Sequence, residues 1–426
     1  MAILLIHSSN VSRRQHFAHI RRYAADRGER FLLAMSDPGW ETEFVDAFAH
    51  ADTSDLAATV RAVAALAEAE PQPIRGVVTF SEHSVPAAAA VAAHLGLPFV
   101  DPSTAEIARD KYAMRQAFEG AGLEQPAFGI AATVDAALDR ARRIGYPLVL
   151  KPFIGGGSSH IRRVDGPTEL AEHFEALRDR AWHDLAYDPL HQVLLEKYQG
   201  ACLLEEFVVG EEISVESVVA DGHTHVVAIH DKPLPANGPY FEEYFYATPT
   251  CLPPETVARI RHATAAAHRA VGIDIGGTHT EFRIRPDGRL SILETAARIG
   301  GGPLFQSVLT STGVDMIHAV LDLSLGRTPR LTPKAVSTPA GFCQFFAERA
   351  GKVRAVHGEA AAAAHPHVRE LMIYPEPGDA VDVAPFIFQG YGHAFFTADT
   401  YEGLTGVFAM LQKTIRLELD QGDGHG

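Results

Sequence analysis

The chain has 426 residues, a formal net charge of −16 and three cysteines without a CxxC pair. Its length predicts roughly two to four domains, its negative charge argues against nucleic acid as a partner, and its cysteine spacing excludes a disulfide framework and a structural zinc site. No window approaches the roughly 18 apolar residues of a membrane span, so we expect a soluble, cytoplasmic protein.

The first hundred residues alternate short apolar strands with alanine-rich helices. Strands are predicted at residues 3–6, 31–34, 76–80 and around Phe99, and helices at 12–26, 55–69 and 85–95. Such alternation predicts a doubly wound α/β domain with a parallel sheet and crossover helices. No GxGxxG sequence follows the first strand, so a nicotinamide cofactor is not indicated.

The next part of the chain begins with a helix over 104–120 and reaches a strand over 147–151 that ends in Lys151. The loop that follows consists of Gly155, Gly156, Gly157, Ser158 and Ser159. Glycine lets backbone N–H groups close around phosphate oxygens, the hydroxyls add donors, and Lys151 adds a cation on a rigid element. A surface hairpin is the alternative interpretation of this loop taken alone.

Antiparallel strands are expected beyond a polar helix over 168–188. Apolar and polar residues alternate in the second half of residues 203–219, which predicts a half-buried strand. Further strands are predicted at 225–230, 281–284 and 290–293, with a helix over 255–271 between them. The last two strands are joined by the turn at 285–289 and predict a hairpin.

Two carboxylates, Glu281 and Glu294, lie on the two strands of this hairpin and can share one face of it. Two hard oxygen ligands suit a magnesium ion that is bridged to nucleotide phosphates. Arg298 follows closely, where a guanidinium can neutralise a transferring phosphoryl group. Solvated glutamates on a polar strand face are the alternative. Read with Lys151 and the glycine loop, the pair predicts a site for ATP and magnesium.

A last domain is predicted after a linker marked by Pro329 and Pro333. Its strands are expected around Phe342 and at 352–357, 368–374 and 386–390, before a closing helix over 401–415. The tail at 420–426 is polar and rich in glycine, so it is expected to be disordered.

In this order, the residues resemble the ATP-grasp superfamily of carboxylate-amine ligases over roughly residues 1–415, closest to the L-amino acid (dipeptide) ligase branch. The resemblance implies an N-terminal pre-ATP-grasp α/β domain, an α+β ATP-grasp core of two subdomains, and a C-terminal domain like that of biotin carboxylase and the L-amino acid ligases. The implied boundaries are 1–102, 103–204 with the glycine loop, 205–328 with the metal site, and 329–419, followed by the tail.

The resemblance also implies an ATP site. Lys111 and Lys151 are similar to the two ATP lysines of the family, and the glycine loop to its mobile phosphate lid. The backbone of a hinge would meet adenine, and Glu212 would bind the ribose. The hinge would consist of Glu205, Glu206, Phe207 and Val208.

For the metal centre, the resemblance implies that Glu281 and Glu294 hold Mg²⁺, with Mn²⁺ as an alternative, and that Arg298 binds the phosphates and an acyl-phosphate intermediate. Many members read Glu-x-Asn-x-Arg here, whereas this chain carries Ala296 in the place of the asparagine. An alanine cannot coordinate a cation, which leaves the number of magnesium ions open. The L-amino acid ligase branch tolerates a small residue at this position.

Four residues are candidates for substrate binding. His279 shares a strand face with Glu281, although a core histidine is an alternative, and Lys232 ends a strand, where a polar loop entry is equally compatible. Tyr240 lies in an aromatic and acidic stretch over 235–246 that reads as a pocket loop or as packing. Gly301 follows Arg298 in a glycine run that permits close approach.

The resemblance therefore implies an ATP-dependent ligase that joins a carboxylate, expected to be that of an amino acid, to an amine and releases ADP and phosphate. A homodimer is expected from similar ligases. The alternatives are a biotin-dependent carboxylase or another carboxylate-activating enzyme of this fold, and a non-catalytic ATP-binding module. Residues 274–278 also match the Asp-Ile-Gly-Gly-Thr string of sugar kinases, but those enzymes carry it in their first domain, and here it is expected to enter the strand of Glu281.

Overall fold

The computed structural model describes residues 1–234 and 237–420, so residues 421–426 of the predicted tail lie outside the described residues. The N-terminal part alternates strands and helices, as predicted. In chain order these are β1 (Ala2–Ile6), α1 (Arg14–Arg27), β2 (Arg30–Met35), β3 (Ala47–His50), α2 (Leu56–Ala69), β4 (Ile74–Val78) and α3 (Val85–Leu95).

These strands form one parallel sheet in the order β3-β2-β1-β4. The prediction of a strand around Phe99 was wrong, because Pro98 and Pro102 flank it and proline cannot donate to a sheet ladder. The fourth strand is instead β3, a short edge strand. The strand order changes direction between β1 and β4, and their carboxyl ends meet where Ser8 Oγ lies 2.6 Å from Ser81 Oγ. Ligands of open α/β sheets bind at such points.

The next layer contains a four-stranded antiparallel sheet in the order β5-β8-β6-β7. Its elements are α4 (Pro102–Arg109), α5 (Lys111–Gly120), β5 (Phe128–Ala131), α6 (Val134–Ile144), β6 (Leu148–Lys151), β7 (Arg162–Val164), α7 (Pro167–Asp184), α8 (His191–Tyr198) and β8 (Cys202–Glu206). The prediction of one continuous helix over residues 104–120 was wrong. Asp110 is extended and its carboxylate accepts hydrogen bonds from the backbone N–H groups of Tyr112 and Ala113, which ends α4 and starts α5 at Lys111.

The following elements are β9 (Glu211–Ala220), β10 (His223–Asp231), β11 (Phe245–Thr248), α9 (Pro254–Val271), β12 (Gly276–Ile284), β13 (Leu290–Ala296), α10 (Leu304–Thr312) and α11 (Met316–Ser324). The half-buried strand predicted from residues 203–219 is buried on both faces in β9. Val215 and Val219 pack in the core beside α9, whereas Val218 packs in the core that includes α1 and α11. Its polar residues Ser214, Glu216 and Ser217 are therefore buried rather than solvated, and Glu216 accepts a hydrogen bond from Gly300 N.

The C-terminal part adds β14 (Ala340–Phe345), β15 (Gly351–His357), α12 (Glu359–Ala363), β16 (Val368–Ile373), β17 (Ala380–Val381), β18 (Gly392–Thr397), α13 (Tyr401–Thr414) and β19 (Arg416–Leu419). Strands β14, β18 and β16 extend the sheet of the core, which runs β13-β12-β9-β10-β11-β14-β18-β16 and is antiparallel throughout. This sheet crosses the predicted domain boundary at 328/329.

The prediction of a strand at residues 386–390 was also wrong. Its backbone does not join a ladder: Gly390 N donates to the Gln344 side-chain Oε1, and Pro385 O, just before the segment, accepts from His160 N of the glycine loop. The segment therefore spans the gap between the C-terminal part and the glycine loop. The mixed α/β and α+β architecture itself is as predicted. None of the helices within the described ranges is long and apolar enough to cross a membrane.

Candidate functional site

Two cavities meet in the middle of the molecule. The first lies between the four-stranded sheet and the large sheet. The second is lined by the N-terminal, central and C-terminal parts of the chain. Both linings include the same four residues, Gly157, Glu243, Glu281 and Glu294. We call these four residues the acidic wall.

All twelve residues predicted to bind ATP line the first cavity. They are Lys111, Lys151, Gly155, Gly156, Gly157, Ser158, Ser159, Glu205, Glu206, Phe207, Val208 and Glu212. Residues more than 100 positions apart in the sequence are thus brought around one space. Arg298, His279 and Gly301 line the second cavity instead.

Glu281 and Glu294 are direct partners in the β12–β13 ladder, which confirms that the hairpin presents both on one face. Glu281 Oε1 lies 2.7 Å from Lys232 Nζ and 3.5 Å from His279 Nε2. Glu294 Oε2 lies 3.4 Å from Lys111 Nζ. Burial alone would raise the pKa of Glu281, but Lys232 and His279 hold it well below its usual range, so the carboxylate is ionised.

This pair fits a hard divalent cation. The side-chain ion pairs formed with other described residues fall on Oε1 of Glu281 and on Oε2 of Glu294, which leaves one oxygen of each carboxylate for a metal. Anionic carboxylate oxygens are the donors that Mg²⁺ and Mn²⁺ take. Ala296, opposite His279 in the same ladder, is buried and offers no ligand atom.

The two predicted ATP lysines approach the first cavity from different elements. Lys111 is the first residue of α5, and its Nζ is 3.4 Å from the carbonyl oxygen of Gly155. Lys151 ends β6 and lies 2.6 Å from Glu205, which is also 2.6 Å from Arg115 Nε. The Glu205 side chain is thus held in a buried ion cluster, and only its backbone can face a ligand. Burial lowers the pKa of Lys151, while Glu205 opposes the shift.

The other hinge residues provide apolar and aromatic surface. The rings of Phe207 and Phe241 are stacked with centroids 6.2 Å apart, and Val208 O accepts a 2.8 Å hydrogen bond from Arg283. Such a surface suits the flat face of a nucleobase. Glu212 accepts hydrogen bonds from Lys232 at 2.7 Å and from Arg283 at 2.8 Å, at the edge of this cavity.

The glycine loop is docked on the C-terminal part. Gly157 has φ +59°, and a Cβ at this position would lie 2.0 Å from the carbonyl oxygen of Phe388, so only glycine allows this approach. Nearby, His160 N donates a 2.6 Å hydrogen bond to Pro385 O, in the same C-terminal segment as Phe388. The loop therefore lies closed over the junction of the two cavities.

Arg298 is held by a carboxylate of another domain. Its Nε binds Glu82 Oε2 at 2.5 Å, and Glu82 Oε1 binds Arg109 at 2.6 Å. Burial alone would raise the pKa of Glu82, but the two arginines hold it far below its usual range. Glu82 thus fixes Arg298 on the wall of the second cavity.

Three of the substrate candidates take different positions. His279 is bound to Glu216, and although burial would lower its pKa, Glu216 and Glu281 raise it to about 10. Lys232 is buried beneath the acidic wall, in contact with Glu281 and with Glu243 at 3.2 Å. Tyr240 lines neither of the two cavities, and its hydroxyl accepts a 2.7 Å hydrogen bond from Arg162.

Residues of the second cavity were largely missed by sequence reasoning. The N-terminal domain contributes Asn10, Ser12, Arg13 and Glu82, and the C-terminal part contributes Phe342, Gln344, Tyr374, Phe388 and Gln389. The first group follows β1 and β4, and the polar residues that end those strands were a usable signal, because a doubly wound sheet binds ligands there. No sequence pattern marked the second group.

Comparison with known proteins agrees with this arrangement. Three family models match the chain: an ATP-grasp N-terminal domain at residues 27–99, an ATP-grasp domain at 144–305, and L-amino acid ligase C-terminal domain 2 at 344–420. The crystal structure of an L-amino acid ligase from Bacillus licheniformis aligns with a TM-score of 0.84 at 24% identity, covering 99% of each chain. At this identity, the likeness shows the fold.

Among curated proteins, alanine–anticapsin ligase of Bacillus subtilis is 28% identical over 262 residues, which are 58% of this chain and 53% of that ligase. Human carnosine synthase 1 is 27% identical over 320 residues, 72% of this chain and 38% of the synthase. The chain thus spans about half or less of the length of these two relatives.

Proposed function

The chain belongs to the ATP-grasp superfamily and carries the C-terminal domain of the L-amino acid ligases, and we propose that it is an ADP-forming ligase that joins an amino-acid carboxylate to an amine. Alanine–anticapsin ligase and carnosine synthase 1 are named for forming carbon–nitrogen bonds, and the similarity of this chain to them supports a carbon–nitrogen ligase. The names of these relatives favour amino acids as substrates.

The acidic wall supports this proposal more than any other observation. A ligase of this kind must bring the γ-phosphate of ATP to a substrate carboxylate, and the reacting atoms must meet between two binding spaces. In this protein the wall with Glu281 and Glu294 belongs to both cavities. A nucleotide in the first cavity and a carboxylate in the second would therefore meet at these residues.

The proposed reaction has two steps. A carboxylate oxygen attacks the γ-phosphorus, forming a C–O–P linkage as the bond to the β-phosphate oxygen breaks and ADP leaves. The amine then attacks the acyl carbon, the C–O bond breaks, inorganic phosphate leaves and the amine nitrogen loses a proton. Each step develops negative charge on oxygen, which fixed cations stabilise.

Cationic side chains that could supply this stabilisation line both cavities. Lys111 and Lys151 face the first cavity, and Arg298 faces the second with its orientation fixed by Glu82. Glu281 and Glu294 would hold Mg²⁺ or Mn²⁺, which supplies Lewis-acid stabilisation of the phosphates when it is bound. The glycine loop, docked on Phe388, excludes water that would hydrolyse the acyl phosphate.

The test is phosphate release from ATP across a panel of amino-acid pairs, with amide formation followed by mass spectrometry. We expect one pair or a few pairs to release phosphate only when both members are present. Phosphate release that requires bicarbonate and free biotin would instead identify a carboxylase. ATP binding without stimulation by any carboxylate and amine would identify a non-catalytic nucleotide-binding module.

A further inference from the structure

Two histidines and one aspartate form a cluster outside both cavities, where α1 packs against α11. His19 lies in α1, Asp315 directly precedes and caps α11, and His318 is in the first turn of that helix. None of the three lines either cavity. Tyr23 Oη donates a 2.5 Å hydrogen bond to Asp322 between the same two helices. The cluster therefore bridges the N-terminal part of the chain and the core.

The three side chains direct polar atoms into one small space. Asp315 Oδ2 lies 3.7 Å from Nδ1 of His19 and 3.5 Å from Nδ1 of His318. One ligand atom from each residue lies within 4.8 Å of the other two. The second carboxylate oxygen, Oδ1, accepts a 3.0 Å hydrogen bond from His318 N and so caps the helix. Oδ2 and the imidazole nitrogens are therefore the atoms left to hold a ligand.

The protein does not satisfy these polar groups by itself. Separations of 3.5 and 3.7 Å are too long for hydrogen bonds to Asp315, and His19 makes no hydrogen bond to any residue of 1–234 and 237–420. Within the same ranges, Nε2 of His318 is buried without a hydrogen-bond partner, and Asp315 pairs with no lysine or arginine. The charge of Asp315 is therefore left to be balanced by a protonated histidine or by a bound cation.

Aromatic neighbours orient the two imidazole rings. The ring of His19 meets that of Phe305 edge-on with centroids 5.0 Å apart, and the ring of His318 lies 5.1 Å from that of Tyr23. Phe305 and Tyr23 are buried. The side chains of His19, Asp315 and His318 are 25%, 18% and 32% exposed. The ligand atoms are thus held from the interior, while an ion can reach them from solvent.

The donor atoms and their spacing fit a tetrahedral ion. Imidazole nitrogen with carboxylate oxygen is a typical ligand set of Zn²⁺, and bonds of about 2.0–2.2 Å place neighbouring ligand atoms of a tetrahedron about 3.3–3.6 Å apart. The observed 3.5 and 3.7 Å need only small side-chain shifts. Mg²⁺ prefers oxygen ligands, so this site differs in kind from Glu281 and Glu294. The cysteine spacing excludes only a zinc site built from thiolates.

We propose that His19, Asp315 and His318 bind one Zn²⁺ ion, with water completing the coordination. The ion cross-links α1 to α11 and so stabilises the packing of the N-terminal part on the core. It lies outside the cavities and takes no part in the proposed ligation. This inference is therefore independent of the proposed function.

The experiment measures Zn²⁺ binding by calorimetry on the full chain after chelator treatment. Mg²⁺ and a non-hydrolysable ATP analogue are present in excess, so that Glu281 and Glu294 do not compete for zinc. We expect one Zn²⁺ site in the wild-type protein and at least about 10-fold weaker binding in His19→Gln and in Asp315→Asn. Zn²⁺ should also raise the midpoint of thermal unfolding of the wild type and not of these variants.

Matched controls isolate the loss of the ligands. Asp315→Asn removes the anionic ligand but keeps the cap of α11, because asparagine caps helices as well as aspartate does. Asp55→Asn is its control, since exposed Asp55 caps α2 in the same way, by accepting a 2.8 Å hydrogen bond from Ala58 N. His262→Gln, at an exposed position of α9, is the control for the histidine. Both controls should bind Zn²⁺ like the wild type.

Equal Zn²⁺ binding by the wild type and by the site variants would show that zinc binds elsewhere on the chain, and it would overturn the inference. Absence of Zn²⁺ binding by the wild type would overturn it as well. The two site variants lie on different elements, so if one fails to fold, retention or loss of binding in the other decides. Zinc binding is measured without catalysis, so failure of the ligase function leaves this result unaffected.

Discussion

Glu281 on β12 and Glu294 on β13 face each other directly across a two-stranded ladder, and both side chains line the two cavities that meet beside them. A turn at residues 285–289 sets this register. Because these carboxylates are fixed on rigid strands between the two cavities, a metal ion bound to them could contact ligands in both.

The first prediction concerns this pair. Glu281→Gln or Glu294→Gln should lower the rate of phosphate release about 100-fold or more, because each change removes an anionic ligand of the proposed metal site. The measurement is phosphate release at increasing Mg²⁺ and Mn²⁺ concentrations. Asp287→Asn, in the exposed turn of the same hairpin, serves as the control and should behave like wild type. Unchanged activity in Glu294→Gln would contradict the assignment of Glu294 as a metal ligand.

Arg298 gives the second prediction. Arg298→Lys keeps the charge but loses the planar fork that Glu82 orients, so kcat should fall about 10- to 100-fold while affinity for ATP stays the same. Steady-state kinetics and calorimetric titration of nucleotide separate the two effects. Arg289→Lys is the control, since Arg289 is more than half exposed. If Arg298→Lys changed only the affinity for ATP, a role of Arg298 beside the second substrate would be contradicted.

The docked lid gives the third prediction. Gly157→Ala should lower kcat at least about 10-fold and raise the ratio of phosphate released to amide formed, because its Cβ would meet the Phe388 carbonyl and hold the lid open to water. Gly122→Ala is a matched control, with φ +67° and open space around its Cβ. Both variants share the backbone strain, and only the first has the clash. If Gly157→Ala still released one phosphate for each amide formed, this closed position of the loop would be contradicted.

The fourth prediction is a pH dependence of stability. Glu216 and Glu281 raise the pKa of His279 to about 10, above the value of about 6.5 expected in the unfolded chain. Protonated His279 therefore stabilises the fold fully below about pH 6.5, and this stabilisation is lost as the pH rises through about 10. The free energy of unfolding of wild type and His279→Gln should converge over this range. Exposed His94→Gln should show no such trend, and a difference that grows with pH would contradict the pairing.

Much of the site could be predicted from the sequence because its parts are local. Lys151 ends an apolar strand next to the glycine loop, and a short turn places Glu281 beside Glu294. Such relations depend on strand alternation and turn length, which are read directly from a few neighbouring residues. Lys111, the hinge at 205–208 and Glu212 have no such local pattern and were implied only by the resemblance to the ATP-grasp superfamily, and they line the same cavity as Lys151 and the glycine loop.

The remainder depends on contacts between distant segments. Glu82 orients Arg298 across 216 positions of sequence, and Arg13 meets the glycine run of Gly300 across 287. Neither pairing has a local pattern. The break at Asp110 and the segment with Phe388 were mispredicted for a related reason, because a cap and a loop contact outweigh the helical and apolar character of the sequence.

Transfer of an oxygen atom from the substrate carboxylate to inorganic phosphate tests the central claim most directly. The donor carboxylate is labelled with ¹⁸O, and phosphate released during amide formation is analysed by mass spectrometry. If the carboxylate is activated as an acyl phosphate, each amide formed should be accompanied by ADP and by one phosphate that carries a single ¹⁸O. Unlabelled phosphate in amounts equal to the amide would contradict the proposed activation, as would ATP consumption without any amide.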